Sequence, residues 1–251
     1  MNSTFIKKIL KINLHSLTSQ LRLTTNSFLT PKHLKSKRNL NFDWENKNFN
    51  RISAVNLAIM KSNKNQPTYL EIGCAGNSTF NSVPVLNKIG VDPNRGGTHR
   101  MTSDEFFAIN TSCFDVIFID GFHTYYQVKK DAINSSSCLN DNGIILLHDF
   151  LPLNWKAAIP NDLRQVSSAW NGDLFKFAFE LIHYDINFHI LNIDEGIMVI
   201  HERESILKLK ELQLISDTRF IELTFDYYLE NYNTLPIIEF DEFINKLEVR
   251  K

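Results

Sequence analysis

Apolar stretches separated by polar breaks run through the middle of the chain and predict alternating strands and helices. The strand candidates are apolar at nearly every position, which is typical of strands buried on both faces of a parallel sheet. The predicted strands are Tyr69–Gly73, Ile89–Asp92, Phe114–Asp120, Gly143–Leu147, Asn187–Ile193 and Gly196–His201, the last two as a closing pair. The predicted helices are Arg51–Met60, Asn77–Lys88, Thr102–Ile109, Tyr125–Leu139, Asp162–Trp170 and Asp173–His183. We therefore expect an α/β fold with a doubly wound, mostly parallel sheet.

The two ends of the chain differ from this middle part. Residues 1–42 carry eight basic and no acidic side chains, a composition that a transit peptide can also have. Apolar residues at helical spacing predict a helix there, which packs on the domain or a second subunit or lies on a membrane surface. Residues 39–50 are rich in Asn and predict a linker, and the tail predicts helices. The expected organisation is a basic helical extension with linker (1–50), a central domain (51–202) and a helical extension (203–251).

Composition limits the kind of protein. The chain has 251 residues with 43% hydrophobic and 22% charged side chains, which is typical of a soluble globular protein with a sizeable core. The net charge of -1 gives no general attraction to nucleic acid. The cysteines are far apart and form no CxxC pair, so we interpret them as the reduced thiols of a cytoplasmic protein. No apolar run is long enough for a membrane span.

Chemistry-bearing residues gather where the predicted strands end. In open parallel sheets, ligands bind beyond the carboxyl ends of the strands. The residues expected at those ends are Glu71–Asn77, Asp92, Asp120–His123 and His148–Asp149. Their convergence is more informative than any one of them.

The glycine turn LEIGCAGNS at residues 70–78 raises the question of its ligand. It lacks the GxxxxGK[ST] pattern of a phosphate loop and fits GxGxxG poorly. Asp92 follows Glu71 by 21 positions, at the end of the next strand, where an acid can accept hydrogen bonds from both ribose hydroxyls of an adenosine. From the turn alone, an adenosine cofactor and an ordinary tight turn both stay open.

Five blocks in order resemble the class I S-adenosylmethionine-dependent methyltransferases, of the branch found among bacterial sugar, polysaccharide and natural-product O-methyltransferases. The blocks are YLEIGCAGNS (69–78), IGVDP (89–93), RMTSDEFF (100–107), FDVIFIDGFHTYYQVKKD (114–131) and NGIILLHDFLP (142–152). WNGDLFK (170–176) is also similar to a family block. The sequence departs from the family pattern at Asn77, where many relatives carry a further glycine or another small residue. The resemblance implies a Rossmann-like fold and S-adenosylmethionine as cofactor.

The resemblance also implies roles for residues at the strand ends. The cofactor-binding residues it implies are Glu71, Gly73, Cys74, Gly76, Asp92, Ser103, Asp104 and Asp120. Glu71 and the two glycines would shape the methionine pocket, and Asp92 would hold the ribose. Ser103 and Asp104 would lie near the adenine, and Asp120 beside the methyl group. The usual third strand of the fold would be very short here.

Methyl transfer to a hydroxyl needs alignment and removal of a proton, so a base or a metal ion assists it. The catalytic candidates are His123 as general base, Asp120, and His148 as ligand, second base or orienting partner. Two carboxylates and nearby imidazoles can hold a divalent cation such as Mg²⁺. By resemblance to metal-dependent sugar and catechol O-methyltransferases, its ligands would be Asp120 and Asp149. Trp155 and Trp170 would form an acceptor wall or pack helices onto the sheet.

The sequence thus predicts an S-adenosylmethionine-dependent O-methyltransferase that acts on a sugar or related small molecule, for example in polysaccharide biosynthesis. Two rivals stay open: a nicotinamide-dependent oxidoreductase on a similar sheet, and a non-catalytic scaffolding protein in glycan assembly. The terminal helices would allow a homodimer.

Overall fold

The computed structural model describes residues 31–163, 170–214 and 217–248. The strands β1 to β7 are Thr68–Ile72, Asn87–Val91, Phe114–Ile119, Leu139–Leu147, His189–Leu191, Ile197–Ile200 and Ile237–Ile238. The α-helices in these ranges, α1 to α9, are Arg51–Lys61, Ser78–Ser82, Ser103–Ile109, Tyr125–Ser137, Phe175–His183, Arg203–Glu211, Thr218–Ile221, Phe225–Asn231 and Phe240–Glu248. Short 3-10 helices occur at Lys32–Leu34, Trp44–Asn46, Asn161–Leu163 and Tyr232–Thr234.

The strands form one open sheet in the order β2-β1-β3-β4-β6-β5-β7. β1 pairs in parallel with β2 and β3, β3 pairs in parallel with β4, and β5 pairs in parallel with β7. Only β6 runs the other way, antiparallel to β4 and β5. The strand order reverses between β1 and β3, where the fold places a ligand crevice at the carboxyl ends. The predicted α/β, doubly wound, mostly parallel sheet is confirmed.

Both faces of the sheet are buried, as the two-faced apolar strands predict. β3 shows the alternation: Val116 and Phe118 pack on the side of α1, whereas Ile117 and Ile119 pack on the side of α4. Helix α1 begins at a capping box, in which the Asn50 side chain accepts from the amides of Ile52 and Ser53. The cap fixes where α1 starts beside the sheet.

The described parts of the two ends pack on the same sheet. The partly buried side chains of Leu40, Phe42 and Trp44 contact one core, and Phe243 of α9 is buried in the other. The predicted domain boundaries at residues 50 and 202 stay predictions. The predicted basic helix, with its membrane or subunit contacts, lies in residues 1–30, outside the described residues. In the part of the chain that the structure describes, no helix is long and apolar enough to cross a membrane.

Two predicted helices differ from the structure. The helix predicted over Asn77–Lys88 is only Ser78–Ser82, because Val83 adopts an extended conformation in front of Pro84. The helix predicted over Asp162–Trp170 falls mostly on residues 164–169, outside the described residues. The other helices between the strands are confirmed to within a few residues at their ends.

The strands also differ from the sequence prediction in some details. Residues 141–143 form an irregularity inside β4, where the register with β3 shifts and Asn142 takes a positive φ of 63°. The usual third strand is reduced to one bridge between Val91 and His99. β7 was not predicted, because two residues of a helix-rich tail give no strand pattern. The closing pair is confirmed as β5 and β6.

At Gly73 the turn after β1 packs so closely on the end of β3 that no side chain would fit there. Its φ is 89°, and a Cβ there would lie 2.0 Å from the carbonyl oxygen of Asp120. Gly76, three residues later, has open space around its Cβ position. Gly73 therefore has a structural role at the crevice, whatever the crevice binds.

We expect Gly73→Ala to lower the free energy of unfolding by roughly 2–5 kcal/mol, because backbone strain and overpacking act together. Gly76→Ala is the matched control and is expected to change it by about 1 kcal/mol or less. Denaturant unfolding of both variants measures this difference. Equal stability of the two variants would contradict the role given to Gly73.

Candidate active site

The turn after β1 ties three strand ends together. The Gly73 amide donates to the carbonyl of Val91 at 2.8 Å, and the Asp120 amide donates to the carbonyl of Ile72 at 2.8 Å. Asn77, with φ 64°, accepts the Gly97 amide on its side-chain oxygen at 2.6 Å. The departure from the family pattern at Asn77 thus has a structural reason, since its amide side chain joins this turn to the loop after β2.

Asp92 lies at the end of β2 and is held by backbone amides. One carboxylate oxygen accepts from Asn94 and Arg95, both at 2.8 Å, and the other accepts from Ala75 at 2.8 Å. Burial opposes ionisation, but these hydrogen bonds outweigh it and lower the pKa of Asp92. Of about four lone-pair positions on a carboxylate, one stays open on the oxygen facing Ala75. A single ribose hydroxyl, rather than two, can be accepted without displacing an amide.

The start of α3 carries Ser103 and Asp104. Gln127 of α4 donates to the Ser103 hydroxyl and to the Asp104 carboxylate, both at 3.1 Å. Lys130 lies 2.6 Å from Asp104 and lowers the pKa of that carboxyl against the effect of burial. These contacts fix the polar end of the crevice, and Gln127 is a residue that sequence reasoning missed.

A cavity of about 770 Å³ fills the crevice between these groups. We call it the strand-end cavity; its walls include Gly73, Ala75, Val91, Asp92, Ser103, Asp104, Asp120, His123 and Gln127. Its volume is in the range of cofactor sites, and polar groups stand at both ends of an apolar floor. Of the predicted cofactor residues, Gly73, Asp92, Ser103, Asp104 and Asp120 are brought together here.

The other predicted cofactor residues lie outside the walls of this cavity. Glu71 is 1% exposed and accepts from the Tyr69 hydroxyl at 2.6 Å. Cys74 is buried, with its sulfur 3.7 Å from the Glu71 carbonyl. Gly76 lies in the turn but lines none of the strand-end cavity. The geometry gives no support for direct contact of Glu71, Cys74 or Gly76 with a cofactor in this cavity.

Asp120 and His123 stand at the inner end of the strand-end cavity. His123 Nε2 is 3.3 Å from one Asp120 oxygen, and the imidazole stacks on the Trp170 ring with centroids 5.3 Å apart. Burial opposes protonation of His123, but the carboxylates of Asp120 and Asp149 outweigh it and raise its pKa. The imidazolium is therefore favoured, which makes the neutral base form less available near pH 7 than the sequence suggested.

His148 and Asp149 follow β4 and point into the same group of side chains. Asp149 has a positive φ of 72°, a strained conformation that turns its buried carboxylate toward the strand ends. One Asp149 oxygen lies 3.1 Å from Nδ1 of His123 and 3.1 Å from Nδ1 of His148. Neither ring nitrogen of the buried His148 makes a hydrogen bond within the described residues. Instead, Nδ1 is ion-paired with Asp149 and lies 3.4 Å from Asp120, and Nε2 lies 3.7 Å from Asp194.

Arg51 is a site residue that sequence reasoning missed. From the first turn of α1, its guanidinium donates to Asp120 at 2.7 Å and to both oxygens of Asp194 at 2.8 and 3.0 Å. Asp194 lies in the turn between β5 and β6. A signal was present in the sequence, because a basic residue at a helix start opposes the helix dipole and needs another reason to be there.

Asn171 and Glu195 complete the group. The Asn171 amide donates to Asp149 at 2.8 Å and to Glu195 at 3.0 Å. Burial and the adjacent Asp149 raise the pKa of Glu195 to about 7. We call the whole group the acid–histidine cluster: Arg51, Asp120, His123, His148, Asp149, Asn171, Asp194 and Glu195. The predicted catalytic and metal residues all meet in it.

The cluster fits a divalent cation. One ligand atom each from Asp120, His123 and Asp149 lies within 4.8 Å of the others. Nδ1 of His148 lies 3.1 Å from one Asp149 oxygen, and carboxylate and imidazole are a donor set for divalent metals. Arg51 occupies one oxygen of Asp120, so that residue has its other oxygen to offer. The predicted tryptophans divide: Trp170 lies against His123, whereas Trp155 packs on the core.

Residues 87–150, about a quarter of the chain, match the model of a family described as a methyltransferase domain. The segment runs from β2 to just past β4 and includes Asp92, Asp120 and Asp149. The match and the sheet order agree with the resemblance to the class I S-adenosylmethionine-dependent methyltransferases seen in the sequence. No curated protein matches the chain.

Several solved structures show a distant likeness. The MycE methyltransferase of the mycinamycin biosynthetic pathway, with Mg and SAH, has 15% identity and a TM-score of 0.41 over 57% of this chain and 47% of that chain. An O-methyltransferase from Bacillus cereus with SAH has 13% identity and a TM-score of 0.43, over 74% and 90%. SAH-bound PaMTH1 from Podospora anserina has 14% identity and a TM-score of 0.40, over 80% and 97%. This chain thus spans about half the length of MycE.

Burial raises the pKa of Glu71 to about 7 from 4.5, against the hydrogen bond from Tyr69. Stability from this group is fully present below pH 4.5 and is lost as the pH rises to about 7, because only the folded state resists ionisation. We expect Glu71→Gln to stabilise the fold by roughly 1–3 kcal/mol at pH 8 and by little at pH 4.5. Denaturant unfolding at both pH values tests this, with exposed Glu211→Gln as control. A gain that is independent of pH would be the contrary result.

Proposed function

We propose that the protein transfers a methyl group from S-adenosylmethionine to a hydroxyl of a sugar or related small molecule. One observation carries this proposal: a cavity of about 770 Å³ at the strand ends of a methyltransferase domain opens at its inner end onto the acid–histidine cluster. Cofactor space and proton-handling groups are thus adjacent. Glycan or natural-product assembly is the setting in which such an acceptor is made.

The walls of the strand-end cavity fit S-adenosylmethionine, which when bound supplies a methyl group on a sulfonium. Asp92 holds a ribose hydroxyl at its open lone pair, and Ser103 and Asp104 with Gln127 border the adenine. Gly73 lets the β1 turn pack against β3, which leaves room for the methionine part. Asp120 is the wall nearest the reacting centre and stays ionised beside Arg51.

The cluster supplies the proton acceptor. His123 takes the hydroxyl proton at Nε2, while the Trp170 carbonyl, 3.1 Å from Nδ1, orients the ring and Asp149, also 3.1 Å from Nδ1, stabilises the imidazolium. Stacking on Trp170 keeps the imidazole in that orientation. Because the pKa of His123 is raised, its proton-accepting form gains population above the usual imidazole range.

A divalent cation such as Mg²⁺ would be held by Asp120, His123 and Asp149, with His148 at its side. When bound, such an ion lowers the pKa of a coordinated hydroxyl and fixes its position. His123 cannot be ligand and base through the same nitrogen. With Nδ1 facing the Trp170 carbonyl and Asp149, Nε2 would serve one of these two roles and not both.

No observation favours nicotinamide chemistry over methyl transfer. A non-catalytic scaffolding protein in glycan assembly is the alternative if the strand-end cavity binds no cofactor. A cytoplasmic location, contact with a membrane through residues 1–30 and a homodimer stay part of the proposal.

We expect the protein to bind SAH with micromolar affinity, measured by isothermal titration calorimetry. Asp92→Asn is expected to weaken binding by roughly tenfold or more, because a hydrogen bond to a charged group is lost from a partly buried site. Exposed Asp141→Asn is the matched control and is expected to bind as the wild type does. Circular dichroism confirms that each variant is folded. A folded wild-type protein that binds no SAH would refute methyl transfer by this chain.

Metal binding is testable without activity. We expect the wild-type protein to bind one Mn²⁺, seen by electron paramagnetic resonance. Asp149→Asn keeps the shape and tolerates the positive φ, yet loses a charged ligand, so we expect affinity to fall by more than about tenfold. Asp141→Asn again serves as control. Equal Mn²⁺ binding by Asp149→Asn and the wild type would exclude this metal site while leaving methyl transfer intact.

A further inference from the structure

A second cavity, of about 670 Å³, borders the acid–histidine cluster. Most of its wall comes from residues 41–50, which precede α1 and lie outside the matched family segment. We call it the arm cavity; the lining residues used below are Trp44, Asn48, Phe49, Asn50, Asp194 and Glu195. The linker predicted from the Asn-rich sequence is therefore a wall of a cavity.

Residues 39–50, which we call the arm, are fixed on the domain by contacts of several kinds. The Leu40 amide donates to the carbonyl of Leu153 at 2.8 Å, and Lys47 pairs with Glu239 at 2.6 Å. The Phe49 ring stacks on Phe240 with centroids 4.5 Å apart. The cavity is thus held open by main-chain, ionic and aromatic contacts together.

One chain of side-chain contacts links the wall of the arm cavity to the wall of the strand-end cavity. Asp194 lines the arm cavity and accepts from Arg51 at 2.8 Å. Arg51 in turn donates to Asp120 at 2.7 Å, and Asp120 lines the strand-end cavity. The two cavities share no lining residue, so a methyl donor in one and an acceptor in the other would approach the acid–histidine cluster from opposite sides.

The walls of the arm cavity favour an uncharged ring with several hydroxyls. Trp44 stacks on Phe42 and Phe49 stacks on Phe240, so each ring has one face left for a ligand, and amide groups both donate and accept hydrogen bonds. Asn48 is exposed, and its side chain makes no hydrogen bond to the described residues, so it is available to a ligand. The carboxyl groups of Asp43, Asp194 and Glu195 line the cavity with a single lysine, which Glu239 already pairs, and Arg51 pairs with Asp194. This excess of carboxyl groups repels anionic acceptors.

We infer that the arm cavity holds the methyl acceptor and that the acceptor presents an uncharged polyhydroxylated ring there. The inference rests on the proposed function and names where its acceptor binds. Trp44 and Phe49 form the acceptor wall in this proposal, in place of Trp155 and Trp170, which the sequence suggested. Arg51 acts as a positioning residue, since it joins the carboxylates of the two cavities.

Saturation-transfer difference NMR on the full chain, saturated with SAH, tests the inference. The probes are the methyl glycosides of glucose, galactose and rhamnose, with methyl glucuronide as the anionic counterpart. We expect signals from the neutral glycosides and a weak signal from the glucuronide. Asn48→Trp, which fills the arm cavity from an exposed position, is expected to abolish them. Asn233→Trp, exposed on a 3-10 helix away from the cavities, is the matched control and is expected to keep them.

SAH binding by each variant separates the possible outcomes. Neutral glycoside signals that persist in Asn48→Trp, or none from SAH-saturated wild type, would overturn the inference and leave the proposed function standing. A glucuronide signal as strong as the neutral ones would overturn the charge selection. A folded wild-type protein that binds no SAH would remove the proposed function, and this inference with it.

Discussion

Compensation of buried carboxylates at the ends of β3 and β4 is the constraint on which the site depends. Asp120 and Asp149 end two strands that are buried on both faces, and an isolated ionised carboxylate is very costly there. Three basic side chains compensate these charges: Arg51 from α1, His123 from the loop after β3, and His148 beside Asp149. Arg51 also donates to Asp194 in the turn between β5 and β6, so the compensation links α1 and the closing strands to the central strands. The same charges make the cluster suitable for a cation and for moving a proton.

Much of the fold and part of the site could be predicted from the sequence. Two-faced apolar runs such as Phe114–Ile119 have few alternatives to a buried parallel strand, and polar residues after such runs must converge at one edge of the sheet. Asp92, Asp120, His123 and Asp149 were found by this reasoning. The errors have local causes. Pro84 ended a helix early, and a two-residue strand in the tail gave no pattern.

The parts that could not be predicted depend on tertiary packing. Arg51 reaches Asp120 across 69 positions of sequence, and its contacts with Asp194 span 143. Asn171 and Glu195 contact Asp149 only because two loops meet there. The Asn-rich arm gave a composition typical of a linker, yet a few contacts hold it as a wall. The residues predicted from the sequence thus lie at the strand ends, whereas the residues that line the arm cavity come mostly from the segments around them.

Methyl transfer at this site requires the strand-end cavity to place a sulfonium methyl group against the acid–histidine cluster. A crystal structure of the protein grown with SAH is the measurement to make. We expect a ribose hydroxyl within hydrogen-bond distance of the open Asp92 oxygen and the sulfur at the end of the cavity beside Asp120 and His123. SAH bound elsewhere, or with its sulfur turned away from the cluster, would refute methyl transfer at this site.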